Sequence, residues 1–182
     1  MFDEYYQKQG GYHWEIYEKK TDMLYINHVN KVAAFFKDKK GKLLDVGSGD
    51  GLILSKINRI NGLICAGIDN SKEAINIAHK KGVFNCHILE ICNVKAMLGQ
   101  FNYIFLGDTL EHIVDYKTAL KDIYELLKPD GILYFASPIK KAGLDIHYFS
   151  KEDCDKFLSK YFIIESFEKT DRNFYYICRK KL

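Results

Sequence analysis

Three glycines at alternate positions lie in the run Asp45-Val46-Gly47-Ser48-Gly49-Asp50-Gly51, directly after a short apolar stretch. Glycine at such a place lets the backbone turn sharply and approach a ligand that any Cβ would obstruct. The spacing discriminates between ligands. A dinucleotide fingerprint needs Gly-x-Gly-x-x-Gly, so that pyrophosphate rests on the N-terminus of the next helix; here position 52 is Leu. Asp45 and Asp50 set two carboxylates beside the turn, which repel a pyrophosphate and attract a cationic amino-acid group. A further acid, Asp69, follows 24 positions after Asp45 at the end of the next apolar run. A carboxylate there can accept hydrogen bonds from both hydroxyls of a ribose. Its competing use is to serve the N-terminus of the following helix, for which Ser71 is better placed.

Residues of this kind need strands that end, and helices that begin, around one ligand. Helical spacing of Leu24, His28, Val29, Val32, Phe35 and Phe36 predicts a helix from about Met23 to Lys37, N-capped by Thr21 or Asp22. Leu43–Val46 reads as a strand, Leu52–Ile60 as a helix, Leu63–Ile68 as a strand and Lys72–Lys81 as a helix after Ser71. Asn85–Leu89 and Tyr103–Leu106 read as strands, with a short helix between them over Asn93–Leu98. A helix over Tyr116–Leu127 is stopped by Lys128-Pro129-Asp130-Gly131, and Ile132–Ala136 is the fifth strand. After Pro138 the rhythm changes: Ser150 caps a helix over Lys151–Ser159, and Phe162–Phe167 and Phe174–Cys178 follow without a helix between them, which predicts a hairpin. The expected fold is α/β, a three-layer α/β/α sandwich. Its Rossmann-like, seven-stranded, mostly parallel sheet ends in a C-terminal antiparallel hairpin. In such sheets ligands bind beyond the carboxyl ends of the strands, where strand order reverses.

Composition narrows the classes. At 182 residues the chain suits one domain over 1–182, with 1–40 as an N-terminal helical lid or extension and 41–182 as the binding core. Hydrophobic residues make up 47% of it, enough for a core, and 28% is charged, which argues against disorder. A net charge of +3, with its basic residues scattered, lacks the concentrated footprint of a nucleic-acid binder. The five cysteines form no Cys-x-x-Cys pair, and Cys65, Cys86 and Cys178 fall in apolar runs. With no basic-then-apolar leader and no run near ~18 apolar residues, the sequence reads as cytoplasmic, without a membrane span. Monomer and homodimer both stay open.

The blocks Leu43 to Gly51, Gly67 to Ser71, Phe101 to His112 and Leu127 to Pro138 resemble, in order and spacing, the class I S-adenosylmethionine-dependent methyltransferases. The resemblance runs from about residue 40 to 180. It is strongest to the small-molecule group that carries Leu-Glu-His after its fourth strand and Leu-Lys-Pro-Gly-Gly before its fifth, here Leu110-Glu111-His112 and Leu127-Lys128-Pro129-Asp130-Gly131. His147 to Asp153 is similar to the segment that opens the group's last helix. Asp130 departs from the usual Gly in a turn that tolerates Asp. The resemblance implies S-adenosyl-L-methionine as cofactor. Asp45, Gly47 and Gly49 would face its methionine part, and Asp69, with Asn70 beside it, its ribose. Glu90 would meet the adenine amino group, Ile91 the adenine ring, and Gly107 and Asp108 the sulfonium and its methyl. Glu90 stands where Asp is more usual.

A hydroxyl acceptor in such a transfer benefits from a general base, worth ~10²–10⁴-fold. Candidates are His112 and His147, with Glu111, Asp108 and His13 behind them. His112 can equally pack or cap the helix after the fourth strand, which it is expected to begin. Tyr5, Tyr6, Tyr12, His13 and Trp14 can form either an aromatic lid or a helix-flanking core cluster. No Asn-Pro-Pro-Tyr-like run follows the fourth strand and no Pro-Cys pair is present, features that accompany nucleic-acid and protein methylation. The expectation is methylation of a hydroxyl or amine on a small molecule, such as a sugar, lipid precursor or other metabolite, without a metal. A non-catalytic cofactor-binding partner subunit and an RNA or protein methyltransferase are the alternatives.

Overall fold

A computed structural model describes residues 2–94, 100–141 and 143–182. The chain forms two compact units, Met1–Gly41 with Gly47–Glu90, and Lys42–Val46 with Ile91–Leu182.

The first unit opens with α1 (Phe2–Gln9) and α2 (Tyr12–Lys19), two short helices within the segment expected as an N-terminal helical lid or extension. Eight residues each are too few for a clear hydrophobic period, and tertiary contacts hold them instead. Tyr6 packs with Ala74, Ile77 and Tyr12, while Trp14, Ile16 and Tyr17 pack on Tyr25, Val29 and Leu52. Helix α3 (Met23–Phe36) is capped by Asp22, whose side chain accepts from the Tyr25 N–H at 3.0 Å. Helix α4 (Leu52–Ile57) stops a turn earlier than expected. Strand β2 (Leu63–Asp69) leads into α5 (Lys72–Lys80), where Ser71 accepts the Ala74 N–H. Strand β3 (Cys86–Ile88) pairs in parallel with β2.

In the second unit β1 (Gly41–Val46) pairs in parallel with β4 (Phe101–Gly107), and β4 with β5 (Leu127–Pro138). A 3₁₀ turn, Ile91–Asn93, stands at the start of the helix expected over 93–98; Val94 is helical, and residues 95–98 lie outside the described residues. His112 does not begin a helix. It closes a 3₁₀ turn, Leu110–His112, and α6 (Tyr116–Leu126) starts later, because Asp115 supplies its cap by accepting the Thr118 N–H. The Lys128–Gly131 breaker ends α6 but does not interrupt the sheet. Leu127 already pairs with Phe101 and Ile132 with Tyr103, so the intervening residues bulge, with Asp130 at φ 60. Helix α7 (Lys151–Tyr161) has a full capping box between Ser150 and Asp153. Strands β6 (Phe162–Lys169) and β7 (Asn173–Lys180) form the expected antiparallel hairpin, and β7 pairs antiparallel with β5.

The strand order is β3-β2-β1-β4-β5-β7-β6. This is the Rossmann-like, seven-stranded, mostly parallel sheet with a C-terminal hairpin. Cys65, Cys86, Cys154 and Cys178 are buried free thiols, the small-hydrophobe role expected of those in apolar runs. Among the described residues, no helix is long and apolar enough to cross a membrane.

Candidate active site

In the first unit the glycine turn and the acid of β2 are wired together. Gly47, Gly49 and Gly51 all take left-handed φ, at 75°, 52° and 78°. The N–H groups of Gly47 and Ser48 both donate to the Ile68 carbonyl at 2.9 Å, laying the turn across the end of β2. A Cβ on Gly67 would lie 2.8 Å from the Ser48 Cβ, so this close crossing requires glycine there. Asp69 accepts from the Gly49 N–H at 2.9 Å through one oxygen and from the Ser71 N–H at 2.8 Å through the other. Burial raises its carboxyl pKa, against the main-chain donors of Ser71, Gly49 and Asn70. Asp69 thus ties the turn to the start of α5, and Ser71 caps that helix. Asn70 is exposed beside it. The Leu89 N–H donates to the Asp69 carbonyl at 3.1 Å, which brings the chain just before the exposed Glu90 to the same strand end.

The turn also carries contacts that the sequence did not announce. Asp50 is 1% exposed. Its carboxylate lies 3.2 Å from His13 Nδ1, and its carbonyl accepts from Trp14 Nε1 at 2.8 Å. The Tyr6 hydroxyl stands 2.6 Å from where a Gly49 Cβ would be. The N-terminal aromatics are therefore partly a helix-flanking cluster and partly a cover on the turn.

In the second unit Asp45 is buried at the end of β1. Gly107 ends β4 against the Phe105 ring, whose Cζ would be 2.3 Å from a Cβ added there. Asp108 follows in left-handed backbone, φ 48. Its carboxylate is gripped from β7 and the preceding link: Arg172 Nη2 donates to one oxygen at 3.1 Å and the Asn173 amide to the other. The side chain expected near a transferred methyl is thus held by two protein partners. Ile91 opens the 3₁₀ turn that follows Glu90.

Beyond it, Glu111 is 2% exposed. Its main-chain carbonyl accepts from the Ile146 and His147 N–H groups at 3.0 and 2.9 Å, pinning the loop after β5 to the 3₁₀ turn. Burial, with Asp108 and Asp145 adding to it, pushes the Glu111 carboxyl well above the usual carboxylate range. His112 Nδ1 sits 3.3 Å from the Leu144 carbonyl and 3.6 Å from an Asp145 oxygen. Glu111, His112 and Asp145 each offer one ligand atom, all within 4.8 Å of one another, a spacing that suits either a shared proton or a cation, although no metal was expected. His147 is stacked on Phe149 and bonds the Val114 carbonyl through Nε2 at 3.2 Å. Sequence reasoning missed Asp145, Arg172 and Asn173. They stand 33, 64 and 65 residues from the partners they meet, and no local spacing marks them.

Residues 17–172 match the family described as a methyltransferase domain. The chain belongs to this family, within the class I S-adenosylmethionine-dependent methyltransferases that its motifs resemble. It is 32% identical over 114 residues to the mitochondrial ubiquinone biosynthesis O-methyltransferase of Bos taurus, covering 57% of this chain and 30% of that protein. The ubiquinone biosynthesis O-methyltransferase of Coxiella burnetii is also 32% identical, over 54% of this chain and 44% of the relative. The chain therefore matches less than half the length of either. Its fold is similar to that of a magnesium protoporphyrin IX methyltransferase from Synechocystis with bound S-adenosylmethionine, at a TM-score of 0.74 and 17% identity. That likeness covers 99% of this chain and 95% of the other.

Proposed function

We propose that this chain transfers a methyl group from S-adenosylmethionine to a hydroxyl of a small molecule. The observation that carries the reading is Asp69, a half-buried carboxylate joined to both the glycine turn and the start of α5. When bound, the cofactor supplies a methyl group activated by its sulfonium. The chain's part is to hold and orient. The buried Asp45, the half-buried Asp69 and the left-handed glycine cradle suit a cationic nucleoside and disfavour pyrophosphate charge. Asp45, Gly47 and Gly49 take the methionine part, Asp69 and Asn70 the ribose, Glu90 and Ile91 the adenine. Gly107 and the main chain of Asp108 line the reacting end.

On the acceptor side, His112 is the base. Asp145 and the Leu144 carbonyl both face its Nδ1, which fixes the proton there and makes Nε2 the basic atom. A hydroxyl proton passes to that nitrogen as the oxygen attacks. His147 already uses Nε2 on a main-chain carbonyl and serves as an acceptor-side wall. The O-methyltransferase relatives favour oxygen over an amine nitrogen. A sugar, lipid precursor or other metabolite is the substrate class, and the cytoplasm its compartment. Calorimetry with S-adenosylhomocysteine and a screen of hydroxylated acceptors for S-adenosylhomocysteine release test this. No binding by folded protein at millimolar nucleoside sinks the reading. Binding without turnover across the screen supports a non-catalytic partner subunit instead, and release with RNA or protein alone supports a macromolecular acceptor.

A further inference from the structure

The family match begins at residue 17, yet three side chains before it grip the glycine turn. His13 Nδ1 faces the Asp50 carboxylate at 3.2 Å, Trp14 Nε1 donates to the Asp50 carbonyl at 2.8 Å, and the Tyr6 hydroxyl packs against Gly49. The grip has a second point. Asp3 accepts from the Ser71 hydroxyl at 2.6 Å and from the Glu73 N–H at 3.1 Å, and Ser71 in turn donates its N–H to Asp69. The N-terminal strap thus holds the two segments, Gly49–Asp50 and Asp69–Ser71, that converge on the ribose carboxylate.

Such a grip answers a physical need. A turn with three left-handed glycines in five residues loses much conformational freedom on ordering, and a ligand that must order it binds more weakly. Fixing Asp50 at both its carboxylate and its carbonyl removes that freedom before the ligand arrives. The imidazole is itself fixed: its ring lies 3.8 Å from the Tyr12 ring centroid and stacks on Tyr25 at 5.2 Å. Trp14 is held between the ammonium groups of Lys56 and Lys81, at 5.8 and 5.2 Å from its ring. Gly11 lets α2 seat against α5, where an added Cβ would come 3.2 Å from Ile77.

We infer that His13 and Trp14 are positioning residues for the cofactor, acting through Asp50 to pre-form the glycine turn. The inference rests on the proposed role of that turn. Neither residue need touch the nucleoside.

Calorimetric titration of the full chain with S-adenosylhomocysteine separates the two claims. Trp14→Phe, which removes one hydrogen bond to the Asp50 carbonyl, should weaken affinity about tenfold, and His13→Ala, which removes the imidazole facing the Asp50 carboxylate at 3.2 Å, by about as much. His13→Asn, whose amide places a donor where Nδ1 stands, should recover most of the loss. Combining His13→Ala with Asp50→Asn should cost little more than either alone, because both remove one contact. The melting temperature of ligand-free Trp14→Phe and His13→Asn should stay near that of the parent. If Asp69→Ala weakens binding while His13→Ala and Trp14→Phe bind like the parent, the strap only packs and the inference fails. An affinity loss matched by an equal loss of ligand-free stability overturns it too. If Asp69→Ala is also without effect, the turn does not hold the nucleoside, and the function reading falls with the inference.

Discussion

Each unit sets an imidazole Nδ1 against an aspartate, His13 on Asp50 at 3.2 Å in the first and His112 on Asp145 at 3.6 Å in the second. The surroundings differ in kind. Around Asp69 the donors are main-chain N–H groups of the turn and of the helix start, fixed by glycine spacing and a helix cap. Around Asp108 and Glu111 the key partners are side chains borrowed from a distant loop and hairpin: Asp145, Arg172 and Asn173. A cofactor shared by a family can be met by backbone, whose geometry few sequences provide. An acceptor that varies is met by loop side chains on the same scaffold. The glycine turn with Asp69 is therefore proposed as a cofactor-holding part and His112 with Asp145 as the part that serves the chemistry, and that division can be broken.

The largest effect is expected at His112. His112→Ala should lower kcat by about a thousandfold, within the range of general-base contributions, and leave S-adenosylhomocysteine affinity unchanged. Single-turnover rates with an acceptor found by screening, set beside calorimetry, give both numbers. A loss confined to binding would move His112 to the cofactor side. Asp69→Ala should do the converse. It removes charge-assisted hydrogen bonds and should raise the dissociation constant about a hundredfold, with kcat at saturating cofactor close to the parent. If both variants lose both quantities equally, the division of labour does not hold.

The same division decides what was legible beforehand. Gly47, Gly49 and Gly51 announced a turn because left-handed backbone restricts the residue type, and Ser71 and Ser150 announced helix starts because capping does the same. The mostly parallel sheet followed from alternating elements, and the closing hairpin from two runs without a helix between them. The bounds of helices α1 and α2 stayed hidden, both being short, polar and held by Tyr6 and Trp14 rather than by a period of their own. At Lys128–Gly131 the breaker was read correctly as a helix stop. The pairing of Leu127 with Phe101, which keeps the chain in the sheet, is a long-range fact with no local mark. His112 was marked as a candidate, while Asp145, 3.6 Å from its Nδ1, lies in a loop 33 residues away with no local mark of the contact.

Asn173 sharpens the comparison through stability. It is fully buried, and its amide donates to Asp108. Asn173→Ala removes a buried donor from the half-buried Asp108 carboxylate and should cost about 1 kcal/mol in urea unfolding. Affinity for S-adenosylhomocysteine should change far less than with Asp69→Ala, because the Asp108 side chain serves the second unit's own architecture. A larger loss of affinity than of stability would instead make that carboxylate a direct cofactor ligand.

The smallest effect, and the most specific to the acceptor side, is the pH response of Glu111. Burial raises its folded-state pKa above the unfolded value, so the folded protein holds this proton more tightly than the unfolded chain does. The associated stability is fully present below the unfolded carboxylate pKa, about 4.3. It is lost as pH rises through the higher folded value. Glu111→Gln carries no such proton and should lack that slope, so its urea-derived stability should gain on the parent's as pH is raised. Asp69 is also shifted upward by burial but is tied to three main-chain donors that favour its charge, so Asp69→Asn should alter the slope less. Parallel stability curves for the parent and Glu111→Gln would mean that Glu111 is already ionised across the range. The cluster with His112 and Asp145 would then hold net negative charge and draw a cation, which would compete for the imidazole that the base assignment needs.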